Sequence, residues 1–423
     1  MNFKKNPIIA VVGLGYTGLP LALKFSNYFK IVGFDINKKK VTKLNNLIDQ
    51  TKETKIKELK RFLTKNIFTD NEKHLLKADI FIIAVPTPVT KKNIPDLTMI
   101  ENASTIVGKY IRYGSIVIYE STVYPGCTED ICVKILEKES NLKYNKDFYC
   151  GYSPERINPG DKDKKIENIV KITSGSNNLV ANYIDKLYKK IIRAGTHKVK
   201  NIKTAEAAKV IENIQRDLNI ALVNELSMIF RKMRIDTADV LEAAATKWNF
   251  SKYVPGLVGG HCISVDPYYL TYIAKKNNIN PQVILAGRKV NDFMPKYIIQ
   301  EIKKKIKSKK KIKSCLVLGL SFKENCPDIR NSKVFDLIEM LKKLKFIIKA
   351  YDPVVDHEEV INEYNFSPIK QISNKDRFDL IILAVKHDVF KKFENKILEK
   401  LKPGGFVFDI KSFFKKTSYI ESL

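Results

Sequence analysis

The chain has 423 residues, 44% hydrophobic, 10% aromatic and 29% charged, enough apolar material for more than one packed core; a stapled mini-module and a mainly disordered chain are both excluded. Lysine and arginine number 75 against 46 acids, a formal charge of +29, which raises nucleic acid or an anionic surface as partners. Only 10 of the 75 are arginine, the lysines are spread over the whole length without a recognition motif, and no run approaches the ~18 apolar residues of a bilayer span, so neither nucleic acid nor membrane insertion is expected.

Near the start, Lys4 and Lys5 precede the apolar run 8–15, but glycines interrupt that run and no small-residue cleavage site follows, so a leader is not expected and the protein reads as cytoplasmic. The run is instead a first strand, Ile8–Val12, followed by Gly13-Leu14-Gly15-Tyr16-Thr17-Gly18 and a helical pattern over 19–28. GxGxxG between a strand and a helix is where a dinucleotide pyrophosphate would sit. A second strand over 31–34 ends at Asp35, whose carboxylate would accept the adenosine ribose hydroxyls and repel a 2′-phosphate; this favours NAD over NADP, with Lys38, Lys39 and Lys40 close by.

Strands over 80–85 and 116–119 lead into Pro86-Thr87-Pro88 and Ser121-Thr122-Val123-Tyr124-Pro125-Gly126. By themselves these are ordinary turns, but in a doubly wound sheet the carboxyl ends of strands border the ligand crevice. Ser153-Pro154-Glu155-Arg156 is a third such segment, closed by the turn Asn158-Pro159-Gly160-Asp161. A helix without Gly or Pro is expected over 205–232, with Val210, Ile211, Ile214, Leu218, Ala221, Leu222 and Leu226 repeating at three and four, and with Lys209 and Asn213 one turn apart on one face.

Gly256 to Pro267 carries Gly259-Gly260-His261-Cys262, a cysteine made accessible by paired glycines, with Asp266 four residues on. The other five cysteines (Cys127, Cys132, Cys150, Cys315, Cys326) are dispersed, with no CxxC pair, so neither a disulfide framework nor a metal site is expected. Lysine-dense stretches at 162–165 and 303–313 read as solvated faces or linkers. A second α/β pattern follows, with strands over 315–318, 346–351, 380–385 and 406–410. The expected fold is therefore α/β: two Rossmann-like doubly wound domains joined by a long central helix and a helical middle domain, with boundaries at 1–200, 201–302 and 303–423.

Together the segments 13–18, 121–128, 153–161, 206–226 and 256–270 resemble the UDP-glucose/GDP-mannose dehydrogenase family across essentially the whole chain. Glu155-Arg156-Ile157-Asn158-Pro159-Gly160-Asp161, Thr246-Lys247-Trp248-Asn249-Phe250 and Gly259-Gly260-His261-Cys262 resemble the branch that oxidises UDP-N-acetylhexosamines in capsule and O-antigen synthesis. The resemblance implies an N-terminal NAD domain, a dimerising central helix giving a homodimer or higher homo-oligomer, and a C-terminal domain for the UDP moiety.

It also implies a four-electron oxidation of a primary alcohol to a carboxylate with two NAD molecules in succession. A thiolate adds to the aldehyde, oxidation of the thiohemiacetal gives a thioester, and water hydrolyses it. On this resemblance Cys262 is the nucleophile, Lys209 and Asn213 stabilise oxyanions, Asp266 and Thr122 position the lysine and a water, and Glu155 is an acid/base candidate. Gly13, Gly15, Tyr16, Gly18, Asp35, Lys40, Pro86, Thr87, Thr122 and Arg330 would hold the cofactor. Glu155, Arg156, Lys209, Asn213, Gly259 and Lys323 would hold the UDP-sugar. A UDP-GlcNAc or UDP-GalNAc substrate is expected, with UDP-glucose and UDP-ManNAc as alternatives. A β-hydroxyacid dehydrogenase, which needs neither the cysteine nor the second α/β domain, and a non-catalytic nucleotide-binding protein stay open as other classes.

Overall fold

The computed structural model describes residues 3–51, 54–156, 165–307 and 313–423. The segment Asn158 to Asp161 and parts of the lysine-dense stretches 162–165 and 303–313 lie outside the described residues. The chain divides into two compact units, one of Met1–Glu212 with Tyr268–Asn278, the other of Asn213–Pro267 with Ile279–Leu423.

The first unit is built on an eight-stranded sheet: β1 (Ile8–Val12), β2 (Lys30–Phe34), β3 (Ile67–Thr69), β4 (Ile80–Ile83), β5 (Ile116–Tyr119), β6 (Tyr149–Tyr152), β7 (Lys171–Gly175) and β8 (Thr196–Lys198). Their order is 3-2-1-4-5-6-7-8. Strands β1, β4 and β5 are runs of β-branched and aromatic residues buried on both faces, which suits strands covered by helices on each side. The order turns back between β1 and β4, so the loops after these two strands flank the crevice in which such sheets bind ligands.

One strand pair departs from the parallel arrangement of the rest of the sheet. β7 runs antiparallel to β6, pairing Gly151 with Gly175 and Tyr152 with Ser174. Its first residue, Lys171, is buried and hydrogen-bonded to the buried Glu120, which also accepts from the Tyr188 hydroxyl. A strand opened by a buried lysine has no apolar signature, so the sequence pattern passes over it.

The central helix spans Ile202–Met233. Val210, Ile214, Ala221 and Val223 face the core, together with the buried polar residues Glu206, Asp217 and Asn224. Ile211 and Leu222, grouped with the core by their spacing, are 53% and 54% exposed. Eleven residues correspond to about three turns, so Ile211 and Leu222 share a face with each other and with the exposed Ile229 and Met233, about 100° away from Val210.

In the second unit a five-stranded sheet of β9 (Ser314–Leu318), β10 (Ile347–Tyr351), β11 (Phe378–Leu383), β12 (Leu401–Asp409) and β13 (Ile420–Ser422) is parallel throughout, in the order 10-9-11-12-13. A helix over Gln282–Lys307, which runs through Pro295, packs Met294, Ile298 and Ile302 into the same core as Val317, Leu337 and Ile382. No described helix is long and apolar enough to cross a membrane.

Candidate active site

The three glycines after β1 each answer a different steric demand. Gly13 has φ +94°, donates its N–H to Phe34 O at 2.8 Å, and has no room for a Cβ, which would lie 2.7 Å from Ala84 O. A Cβ on Gly18 would fall 1.8 Å from Gly13 O, so the helix Gly18–Phe25 can start hard against the turn only because that residue is glycine. Around Gly15 nothing lies within 4 Å of the Cβ position. It leaves open space at the start of a helix, as the close approach of a pyrophosphate requires.

Asp35 is 6% exposed and holds the turn from the next strand: its Oδ2 accepts the Leu14 N–H at 2.9 Å and the Lys40 ammonium at 2.7 Å, and its Oδ1 accepts the Asn37 N–H at 2.9 Å. Tyr16, half-buried, stands in the turn itself. The cradle thus has the steric opening, the helix terminus and the acid that a dinucleotide needs.

The loops after β4 and β5 are sewn together. Thr87 Oγ1 donates to Thr122 O at 2.7 Å, Ser121 Oγ donates to Val85 O at 2.7 Å, and the Tyr269 hydroxyl donates to Thr87 O at 2.9 Å. Pro86 is exposed beside Thr87, whose hydroxyl is already committed to the loop contact. After β6, Glu155 is half-buried, while the Arg156 guanidinium reaches the central helix, donating to Lys209 O at 3.0 Å and Ala208 O at 2.8 Å and pairing with Glu212 at 2.6 Å. Arg156 therefore ties its loop to the helical turn that carries Lys209, itself 5% exposed.

In the second unit Cys262 is partly exposed, whereas the five other cysteines are buried. Asp266 N donates to Cys262 O at 2.8 Å, so the two residues stand one helical turn apart, and Asp266 Oδ2 accepts from the Asn213 amide at 2.6 Å. Cys262, Asp266 and Asn213 are thus brought together, and Lys209 lies one turn before Asn213 on the central helix. Gly259 serves the backbone: a Cβ there would come 2.5 Å from Asn331 O.

His261 Nδ1 lies 3.3 Å from Asp328 Oδ2, and Arg330 clamps the same carboxylate through Nε and a terminal nitrogen. Burial pulls the His261 imidazole down, but Asp328 and Cys262 outweigh it and hold it at about 9, so a cation precedes the cysteine at neutral pH. Burial likewise favours the neutral form of Asp328, yet His261 and Arg330 keep its carboxyl well below the usual range. Lys323 is half-buried next to the Phe322 ring, and its carbonyl accepts from Ser321 Oγ at 2.8 Å.

Three groups escape sequence reasoning. Glu206 is wholly buried and accepts the N–H groups of Gly126 and Thr128. Asn224, also wholly buried, satisfies both the N–H and the C=O of Gly256, at 2.7 and 3.1 Å, and so anchors the start of the segment leading to Cys262. His387 bridges Asp352 and the Asn325 N–H and pins the segment of Lys323 and Arg330. Each is a lone polar residue in an apolar or mixed run, and sequence alone does not separate it from a solvated side chain.

A doubly wound sheet with this glycine turn and acid defines a dinucleotide-binding protein. The chain belongs to the UDP-glucose/GDP-mannose dehydrogenase family: the family's NAD binding domain matches residues 8–192, its central domain 203–293 and its UDP binding domain 316–416. It is 50% identical to the UDP-N-acetyl-D-glucosamine 6-dehydrogenase of Pseudomonas aeruginosa, over 95% of this chain and 96% of that one. It is 49% identical to protein CapL of Staphylococcus aureus, over 96% of each. The solved UDP-D-ManNAc dehydrogenase of Pyrococcus horikoshii superposes with a TM-score of 0.88 at 30% identity, covering 98% of both chains. The chain is thus an NAD-dependent enzyme.

If Asp35 binds the adenosine ribose, Asp35→Asn raises the Kd for NAD roughly tenfold to a hundredfold, the value of one or two charge-assisted hydrogen bonds. It also leaves Lys40 without its carboxylate, so NADP gains a partner for its phosphate and the preference narrows. Titration of both cofactors checks this; unchanged affinity and selectivity would remove Asp35 from the ribose site.

Proposed function

We propose that this enzyme oxidises C6 of a UDP-N-acetylhexosamine, UDP-GlcNAc or UDP-GalNAc, to the uronic acid through a thioester on Cys262, as a precursor for a surface polysaccharide such as capsule or O-antigen. The observation that carries the covalent reading is Cys262 itself: the one cysteine of six that is not buried, one turn from an Asp266–Asn213 pair. Half of the aligned positions match a UDP-N-acetyl-D-glucosamine 6-dehydrogenase, against 30% for the mannosamine enzyme of known structure, which supports the glucosamine branch.

In this reading the turn at Gly13, Gly15, Tyr16 and Gly18 takes the pyrophosphate, Asp35 with Lys40 takes the ribose, and Pro86, Thr87, Thr122 and Arg330 complete the cofactor's contacts. NAD, when bound, accepts a hydride in each of the two oxidations. Glu155 removes or returns the proton at the reacting oxygen. The Cys262 thiolate adds to the C6 carbonyl, and Lys209 and Asn213 donate hydrogen bonds to the oxyanion that develops there. Asp266 holds Asn213 by its amide and, with Thr122, orients the water that cleaves the thioester, releasing the carboxylate and the free thiol. Arg156 and Gly259 shape the loops around the sugar, and Lys323 pairs with the diphosphate.

The three family segments support a division into an NAD-binding part at 1–200, a central helical part at 201–302 and a UDP-binding part at 303–423. The exposed apolar face of the central helix, with Ile211, Leu222, Ile229 and Met233, and the 96% exposed Trp248 fit a homodimer. The substrate reading is tested by kcat/KM for UDP-GlcNAc, UDP-GalNAc, UDP-ManNAc and UDP-glucose. An N-acetylated sugar is expected to exceed UDP-glucose roughly tenfold to a hundredfold, because a pocket built for the acetamido group leaves polar groups unpaired when a hydroxyl replaces it. A clear preference for UDP-glucose would overturn the branch but leave the reaction class intact.

A further inference from the structure

Glu206 has no exposure at all, yet it carries a carboxylate. Its Oε2 accepts the Gly126 N–H at 2.5 Å and its Oε1 the Thr128 N–H at 2.9 Å. These two amides open the helical segment 128–140, whose own N-terminal residue, Cys127, makes no side-chain cap. A carboxylate borrowed from the central helix therefore does the work of a cap and sits at the positive end of that segment. Gly126 has φ +97°, and a Cβ on it would lie 2.8 Å from Asp130 Oδ2, so the loop has no side chain at that point with which to hold itself. The same turn of the central helix is gripped a second time by Arg156, through the carbonyls of Ala208 and Lys209. Two loops that follow adjacent strands, 121–128 after β5 and 153–156 after β6, are thus strapped to residues 206–209.

We infer that Glu206 is a positioning residue for the oxidation, locking the loop that bears Thr122 against the turn that bears Lys209. The inference rests on the roles given above to Thr122 and Lys209, and Glu206 acts only through them. Burial raises the Glu206 carboxyl to about 7, against the pull of the two amides, with Glu129 adding repulsion. The other charged or titratable groups around the loop are Asp130 and Lys203, which border Gly126, and the Cys127 thiol. Ionised, the carboxylate accepts both amides at full strength; protonated, one oxygen becomes a hydroxyl and its hold weakens. Because burial lifts the carboxyl of the closed loop above that of a solvated one, lowering the pH does not release the loop, and the lock rests on the two amide contacts.

The same sign holds for the whole fold. A carboxyl raised above its ordinary 4.5 stabilises the fold fully below that pH and loses this contribution as pH rises through about 7.

The test compares wild type, Glu206→Gln and Glu206→Asp with UDP-GlcNAc and NAD from pH 6 to 9. Misplacing a catalytic group by a fraction of an ångström is costly, so kcat of Glu206→Gln is expected to fall roughly tenfold to a hundredfold at pH 8, with the Kd for NAD unchanged. Glu206→Asp, which keeps the carboxylate, is expected to recover part of that loss, with the KM for UDP-GlcNAc and the melting temperature of Glu206→Gln near wild type. A glutamine variant with wild-type kcat overturns the inference. Amide exchange gives a second arm: protection of Gly126 and Thr128, relative to the other amides of the helix that follows, is expected to be lower in Glu206→Gln than in wild type. Equal protection in the two proteins also overturns it. A wild type inert toward every UDP-hexose, or a fully active Lys209→Ala, would overturn the underlying reading instead, and the exchange arm would separate that failure from a failure of the lock.

Discussion

Cys262→Ala is expected to yield a protein that folds and binds NAD but forms no uronic acid, with net turnover lowered on the order of 10³-fold or more. A free aldehyde is a poor hydride donor, and its second oxidation requires a nucleophile to convert it into a tetrahedral adduct. Without the thiol there is neither adduct nor thioester. Cys262→Ser should fail as well, because a hydroxyl lacks a thiol's readiness to ionise near neutral pH, and an oxygen ester hydrolyses more slowly than a thioester. The residue is partly exposed and outside the apolar core, so its truncation should alter stability by only about 0.5 kcal/mol. Loss of activity with unchanged melting temperature and NAD affinity is the expected signature. Uronic acid formed by the alanine variant at the wild-type rate would remove Cys262 from the mechanism.

Lys209→Ala is expected to be the second most damaging change, for a different reason. Both the thiohemiacetal and the tetrahedral adduct of hydrolysis place negative charge on the C6 oxygen, and in the proposed role the Lys209 ammonium stabilises both. Removing one preorganised donor of this kind typically costs about 10²–10³ in rate. The effect should fall on kcat more than on KM, since the charge exists only beyond the ground state. Lys209→Arg should not restore activity, because a planar guanidinium does not fit the place of a compact ammonium. Lys209 is 5% exposed, so the melting temperature is measured alongside. A Lys209→Ala enzyme within threefold of wild-type kcat, measured at saturating NAD and UDP-GlcNAc, would refute the role.

Much of the fold is written in local pattern. Ile8–Val12 and Ile116–Tyr119 are strands with the bounds that their apolar runs indicate, and the central helix extends the expected 205–232 by a few residues to Ile202–Met233. The glycine turn is legible because each glycine answers a steric demand that no other residue meets. What stays hidden is of one kind. Lys171 opens a strand, yet it is buried because Glu120 pairs with it from the neighbourhood of β5. Glu206 and Asn224 interrupt an apolar periodicity as a solvated face would, and only tertiary contacts with Gly126, Thr128 and Gly256 give them partners. Ile211 and Leu222 show the converse. They repeat at helical spacing, but a helix 32 residues long carries two apolar faces, and spacing alone does not say which is covered. Around the cysteine, the spacing of Cys262 and Asp266 is visible in the sequence, whereas the hydrogen bond from Asn213 and the pairing of His261 with Asp328 join residues about 50 to 70 positions apart.

The central claim, a four-electron oxidation through Cys262, is tested most directly by counting NADH formed per molecule of UDP-N-acetylhexosamine consumed to completion by the wild-type enzyme, with the sugar product analysed in the same reaction. Two NADH per sugar, one uronic acid and no free aldehyde at any time are expected. One NADH per sugar, with the aldehyde accumulating, would contradict the claim.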